Sequence, residues 1–202
     1  ASLLTNTMAE VQADITRSCR QILSTLSLVP AVQSLDLQSS SEIFAAVLQE
    51  NPAFHNIALT DLNGIVLTSG RAFKALTLGD RKHVQDALTT KTFAAGEFIL
   101  TRLGAKAPVF PYAYPVLDKQ GQPKAVLTIA IDLNRFTRFH EATPLPEKSF
   151  IAVTDHQGVR LFFYPPKGDT NPVGQPIQSK AWETASKAQE PGFFINEGSD
   201  GL

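Results

Sequence analysis

Apolar residues in the first thirty positions recur at steps of three and four. Leu4, Met8, Val11, Ile15, Cys19, Ile22 and Leu26 make one stripe, which predicts a single N-terminal helix. Pro30 supplies its stop, because the ring disfavours helical geometry at the residue before it. A second helix is expected over residues 41–49, with Ile43, Phe44, Val47 and Leu48 on its apolar side. From His55 the pattern alternates instead. "HNIALTD", "GIVLTS", "EFILTR", "APVFPYAYPV" and "KAVLTIAID" predict five strands. Asp61-Leu62-Asn63-Gly64 and Asp118-Lys119-Gln120-Gly121 read as tight turns in which glycine takes the positive φ. "GDRKHVQDALTTK" predicts a helix capped by the Asp80 carboxylate, and "DLNRFTRFHEA" a further short helix. "ATPLPEK" reads as a proline-punctuated linker.

After that linker the chain repeats itself. "IALTDLNGIVL" returns as "IAVTDHQGVRL", again strand, Asp-x-amide-Gly turn, strand. "SKAWETASKAQ" follows as a helix and "GFFINEG" echoes "GEFILTR". The pattern is a duplicated strand–turn–strand–helix–strand unit. Nothing after Leu202 answers to "APVFPYAYPV" and "KAVLTIAID", so the second module is expected to be incomplete, its sheet edge left open by a cut.

Composition narrows the classes. The 202 residues carry a net charge of −1, with no clustered basic excess of the kind nucleic-acid binding needs. One cysteine, Cys19, rules out an intrachain disulfide and suits a bacterial chain better than a eukaryotic secreted scaffold. No run of 18 apolar residues is long enough to span a bilayer, and "ASLLTNTMAE" does not read as a signal peptide. No G-x-S-x-G, P-loop, G-x-G-x-x-G or H-E-x-x-H is found, so neither catalysis nor a cofactor is expected. His55, His83, His140 and His156 are scattered, which speaks against a metal site.

The long helix, the Asp-Arg before a helix, Gly-Glu-Phe before a strand, and Tyr-Pro-Val followed by Asp-x-x-Gly together resemble the double Cache sensor domains of bacterial signalling proteins. The resemblance covers nearly the whole chain. It implies an α+β fold: a helical stalk and connector over residues 1–52, a membrane-distal PAS-like module over 53–141, and a truncated membrane-proximal one over 142–202. It also implies an extracytoplasmic location, membrane helices outside this stretch, and a cytoplasmic output. A histidine kinase is favoured; a diguanylate cyclase or a chemoreceptor region is the alternative. The family's ligand usually sits in the distal module.

Six residues are candidates for ligand contact. Arg81 and His83 open the "DRKHVQDAL" helix, where a guanidinium beside free N–H groups makes a carboxylate or phosphate receptor. The bland role for Arg81 is a surface pair with Asp80 or Asp86. Arg102 follows "EFIL" on the third strand. Tyr112 and Tyr114 share one strand face with Phe110, where a buried hydroxyl seeks a partner. Asp132 closes the fifth strand, where the family often places a carboxylate; its other role is the N-cap of "LNRFTRF". Amino-acid receptors of the family carry an aromatic five residues before the arginine and a tryptophan-tyrosine pair just after it. Leu76, His83 and Val84 stand there instead, so a small anion such as a carboxylate fits better than an amino acid. The N-terminal stripe is expected either to pair with a second copy or to pack on its own domain. The competing reading is a ligand-free spacer or interaction module, its cavity filled by Phe73, Phe93, Phe98 and Phe110.

Overall fold

The computed structural model describes residues 2–136, 150–164, 172–177 and 180–188. The chain divides into two compact units, Ala1–Glu147 and Lys148–Leu202.

The first unit opens with α1 (Ser2–Leu26). Pro30 does not end that helix. It begins the next one, α2 (Pro30–Ser34), since at a first helical position the missing N–H costs nothing. The following helix, α3 (Leu37–Glu50), starts earlier than the apolar pattern predicts. Asp36 caps it, accepting from Ser39 N at 3.2 Å and Ser39 Oγ at 2.6 Å.

The sheet contains β1 (Phe54–Thr60), β2 (Val66–Ser69), β3 (Ala94–Ala95), β4 (Ile99–Leu100), β5 (Pro108–Leu117) and β6 (Pro123–Asp132). Its order is β2-β1-β6-β5-β3, with β4 also on β5, and all pairs are antiparallel. The expected third strand, residues 97–102, forms only over Ile99–Leu100; β3 lies ahead of it across a break at Gly96, and Arg102 lies beyond its end. At the break, Gly96 donates to the Pro111 carbonyl at 2.9 Å. A Cβ at Gly96 would meet Pro111 Cγ at 2.8 Å, so this close approach requires glycine. Helix α4 (Lys82–Thr90) precedes β3, and α5 (Leu133–Phe136) follows β6. The rest of that helix's expected span lies outside the described residues.

Alternation sorts side chains by size between the two faces. One face presents Ile57, Leu59, Tyr112, Val116, Leu127, Ile129 and Ile131. They pack with Cys19, Leu23 and Leu26 of α1 and Phe44 and Leu48 of α3. The other face offers small residues, Ala58 and Ala113 beside Val126, against Val84 and Ala87 of α4. From Ile15 onward the α1 stripe therefore packs on its own sheet. Burial also pushes the Cys19 thiol up to about 12, the state of a packing residue.

In the second unit, β7 (Ile151–Thr154) pairs antiparallel with β8 (Arg160–Tyr164), and α6 (Lys180–Ala185) falls within the predicted helix. The linker 142–148 and the "GFFINEG" strand lie outside the described residues. Three Asp-x-x-Gly turns share one design across both units. Asp61, Asp118 and Asp155 each accept from the N–H groups two and four residues on, at 2.7–2.9 Å. Gly64, Gly121 and Gly158 carry φ of 77°, 73° and 79°.

Two of these glycines separate backbone strain from crowding. A Cβ at Gly64 would lie 2.2 Å from Gly79 N, whereas one at Gly121 meets nothing within 4 Å. Gly121→Ala is expected to cost about 1 kcal/mol for its left-handed φ. Gly64→Ala should cost on the order of 2 kcal/mol or more, because backbone must also move. Urea denaturation checks this; equal costs would contradict the crowding.

Candidate functional site

The N-terminus of α4 gathers Asp80, Arg81, Lys82 and Asp86, with Arg102 beside them. Asp80 does not cap the helix. The cap position is taken by Arg81, with φ −86° and ψ 131° and no side-chain cap bond. The Asp80 carboxylate is held elsewhere: Arg102 grips it with both terminal nitrogens, Nη1 to Oδ1 at 2.7 Å and Nη2 to Oδ2 at 2.8 Å. Arg102 Nη1 also donates to the Thr77 carbonyl at 3.2 Å. This fork holds the Asp80 carboxyl below the usual carboxylate range and raises Arg102. Asp86, on the first turns of the helix, is paired with Lys82 one helical turn away.

Arg81 is left over. Neither Asp80 nor Asp86 forms a salt bridge with it, so the surface-pair role is not realised. Its side chain is half-buried and its Nε is buried with no hydrogen-bond partner among the described residues. Burial, and next the neighbouring Arg102 charge, push the Arg81 guanidinium below its ordinary value. The Arg81 carbonyl accepts from Val84 N at 3.0 Å and Gln85 N at 3.1 Å. The N–H groups of Lys82 and His83, at the exposed end of the helix dipole, find no acceptor among the described residues.

His83 lies beside this charge and is 3% exposed. A Cβ on Gly96 would come within 3.1 Å of its Nδ1, so the imidazole packs against the glycine that breaks the third strand. Burial, and secondarily the Arg81 charge, push His83 down to about 3. It is therefore a neutral imidazole at ordinary pH, able to donate from one nitrogen and accept at the other. Among the described residues none hydrogen-bonds to it.

The remaining candidates do not converge here. Tyr112 is on the opposite face of the sheet, its hydroxyl 3.0 Å from Thr16 Oγ1 of α1 and its ring stacked on Phe93 at 5.3 Å. Burial pushes the Tyr112 phenol up to about 12. Tyr114 and Phe110 pack against that same cluster. Asp132 accepts from Asn134 N at 3.0 Å at the start of α5, the capping arrangement. Arg102 serves Arg81 indirectly, by occupying Asp80. Of the aromatics offered as cavity fillers, Phe93 and Phe110 belong to the α1 side, and Phe73 packs on the α4-side cluster.

A groove of about 360 Å³ lies elsewhere in the same unit, lined by Val11, Asp14, Ile15 and Ser18 of α1 with Ala53, Phe54 and Ile131. Among the described residues no group of three or more His, Cys, Asp or Glu could hold a metal ion. No helix among them is long and apolar enough to cross a membrane.

No family model and no curated protein matches this chain. Solved structures do. The periplasmic sensory domain of the Campylobacter jejuni chemoreceptor Tlp1 is similar over 97% of this chain and 83% of its own, with TM-score 0.70 and 12% identity. The extracellular domain of a histidine kinase candidate, rpHK1S-Z16, is similar over 96% of this chain and 88% of its own, with TM-score 0.68 and 18% identity. The ligand-binding domain of the C. jejuni chemoreceptor Tlp3, solved with 4-methylisoleucine, is similar over 85% of this chain and 71% of its own, with TM-score 0.64 and 17% identity. The chain has the α+β fold of these sensory domains.

The buried imidazole sets a pH dependence. Unfolded, His83 takes its proton near about 6.5; folded, it stays neutral down to about 3. Between those values the unfolded state holds more protons, so stability falls as pH falls, by up to about 1.4 kcal/mol per unit. The Asp80 contribution is lost as pH falls from the ordinary carboxylate range through its depressed value, below the pH 5–7 range of the test. Urea midpoints at pH 7, 6 and 5 should fall in the wild type and much less in His83→Gln. Parallel slopes would contradict the assignment.

Proposed function

We propose that this chain is the ligand-sensing domain of a bacterial membrane receptor, lying outside the cytoplasmic membrane and binding a small anionic metabolite in its first module. The observation that carries the proposal is Arg81, a half-buried guanidinium whose buried Nε has no hydrogen-bond partner among the described residues, while Asp80 is engaged by Arg102 and Asp86 by Lys82. A buried cation without an acceptor is costly, and a carboxylate bridging Arg81 and the free N–H groups of α4 removes that cost. Neutral His83 supplies one more hydrogen bond without repelling the anion's partner.

The sensory fold supports this reading, and a carboxylate is also part of the 4-methylisoleucine that Tlp3 was solved with. The aromatic pair of amino-acid receptors is replaced here by His83 and Val84, which favours a ligand recognised through its carboxylate alone. Occupancy of such a site changes the population of two arrangements of the receptor. The part of the stripe ahead of Ile15, where Val11 lines an open groove, is the seam through which two copies associate and shift. In this reading the chain performs no catalysis, and a histidine kinase, a diguanylate cyclase or a chemoreceptor output lies across the membrane.

The test is a thermal-shift screen against small carboxylates, amino acids and amines. A hit at about a hundred times its Kd adds about 2.7 kcal/mol, roughly 5–10 °C for a domain of this size. Arg81→Ala should abolish that shift, weakening binding by two orders of magnitude or more, while leaving the unliganded melting temperature unchanged or higher. The same samples should sediment as dimers. No shift from any compound, together with a fall in the melting temperature of Arg81→Ala, would favour a ligand-free spacer instead.

A further inference from the structure

The two copies of the strand–turn–strand unit match in hydrogen bonding as well as in sequence. Thr60 pairs with Val66 and Thr154 with Arg160, each beside the same register shift. Val66 N donates to the Leu76 carbonyl at 3.1 Å, and Arg160 N to the Gln175 carbonyl at 3.0 Å. Leu78 N donates to the Gly64 carbonyl at 2.7 Å, and Ile177 N to the Gly158 carbonyl at 2.9 Å. Isolated bridges Ile65↔Thr77 and Val159↔Pro176 complete the correspondence.

Within that frame aliphatic residues answer aliphatic residues: Ile57 to Ile151, Leu59 to Val153, Leu78 to Ile177. Among the buried aliphatic positions one departs. Val66, buried with Ala58, Leu78 and Val84 on the α4 side of the first sheet, is answered by Arg160. The arginine is nonetheless buried, at 7% exposure, beside Phe162 at 1%. Its Nε is buried with no hydrogen-bond partner among the described residues, and no ion pair among them reaches it. The acids described in this unit are Asp155 and Glu183. An Asp155 oxygen takes the turn N–H groups of Gln157 and Val159, both at 2.9 Å, and Glu183 is exposed.

We propose that the second unit holds an anion site of its own, centred on Arg160 and suited to a small monocarboxylate. A guanidinium fork matches the two oxygens of one carboxylate. A single buried positive charge balances a monoanion, whereas a doubly charged phosphate would carry a surplus charge into the same apolar surroundings. The site is separate from Arg81 and does not depend on it. Trp182, the chain's one tryptophan, lies against the turn leading into β8; a Cβ at Gly158 would sit 2.5 Å from Trp182 Cε2. Its fluorescence therefore reports on this unit.

The experiment titrates the 202-residue chain with sodium propionate against sodium chloride of equal ionic strength, following Trp182 emission. A saturable change is expected in the wild type and in Arg81→Ala. It should vanish in Arg160→Val, which restores the residue of the first copy. In Arg160→Lys, which keeps the charge and loses the fork, affinity should fall at least about tenfold. Should Arg160→Val fail to melt cooperatively, Arg160→Lys decides alone. The proposal is overturned by no saturable change in the wild type, by unaltered affinity in the Arg160 variants, or by loss in Arg81→Ala alone. Tighter binding of inorganic phosphate than of propionate overturns the monocarboxylate class.

Discussion

The antiparallel pairing of β5 with β6 fixes which side of the first unit can be a core and which can be a site. These are the two longest strands, ten residues each, and β6 also carries β1. Alternation along them puts Tyr112, Val116, Leu127, Ile129 and Ile131 on one face, where α1 and α3 bury them. Large side chains in contact across that layer leave little slack, since interiors pack at crystal-like density. The opposite face receives Ala113, Pro111 and Thr128, small residues that let α4 and the broken third strand come close. The packing face holds the domain together, and the small-residue face leaves its chemistry at the end of α4.

That chemistry depends on how two pairs of charges are arranged. A bidentate Arg102–Asp80 contact on the surface contributes little stability, of order 0–1 kcal/mol. Its consequence is selective: it removes Asp80 from Arg81, and Lys82 removes Asp86 in the same way. The outcome is a guanidinium with Asp80 and Asp86 both engaged elsewhere, beside a neutral imidazole and N–H groups that find no acceptor among the described residues. Across the sheet, Tyr112 on β5 hydrogen-bonds Thr16 of α1. A ligand bound at α4 would share one strand with the long helix, a contiguous route by which occupancy could bias it.

Much of this was legible in the sequence because period and turn chemistry are local. The N-terminal stripe and the Asp-x-x-Gly turns needed only neighbours a few residues apart, and the duplication only a comparison of two such local patterns. The misses involved partners farther away. Alternation placed Phe110, Tyr112 and Tyr114 together but could not say which face α1 would take, so the tyrosines fell in the core layer. Asp80 precedes a helix and looks like its cap; the acceptor was claimed by Arg102, twenty-two residues on. The break of the third strand at Gly96 followed from a close approach to Pro111, which no local pattern records. Pro30 reads as a helix stop from the local pattern, and the turn after Leu26 made it a helix start instead.

Arg81 can be observed directly by nuclear magnetic resonance of the arginine Nε–Hε groups in nitrogen-15-labelled chain. If Arg81 is the ligand's anchor, its cross-peak should shift and sharpen when a stabilising carboxylate is added, while that of Arg102, already engaged by Asp80, stays in place. A carboxylate that binds and leaves the Arg81 signal unmoved would contradict the account at its centre.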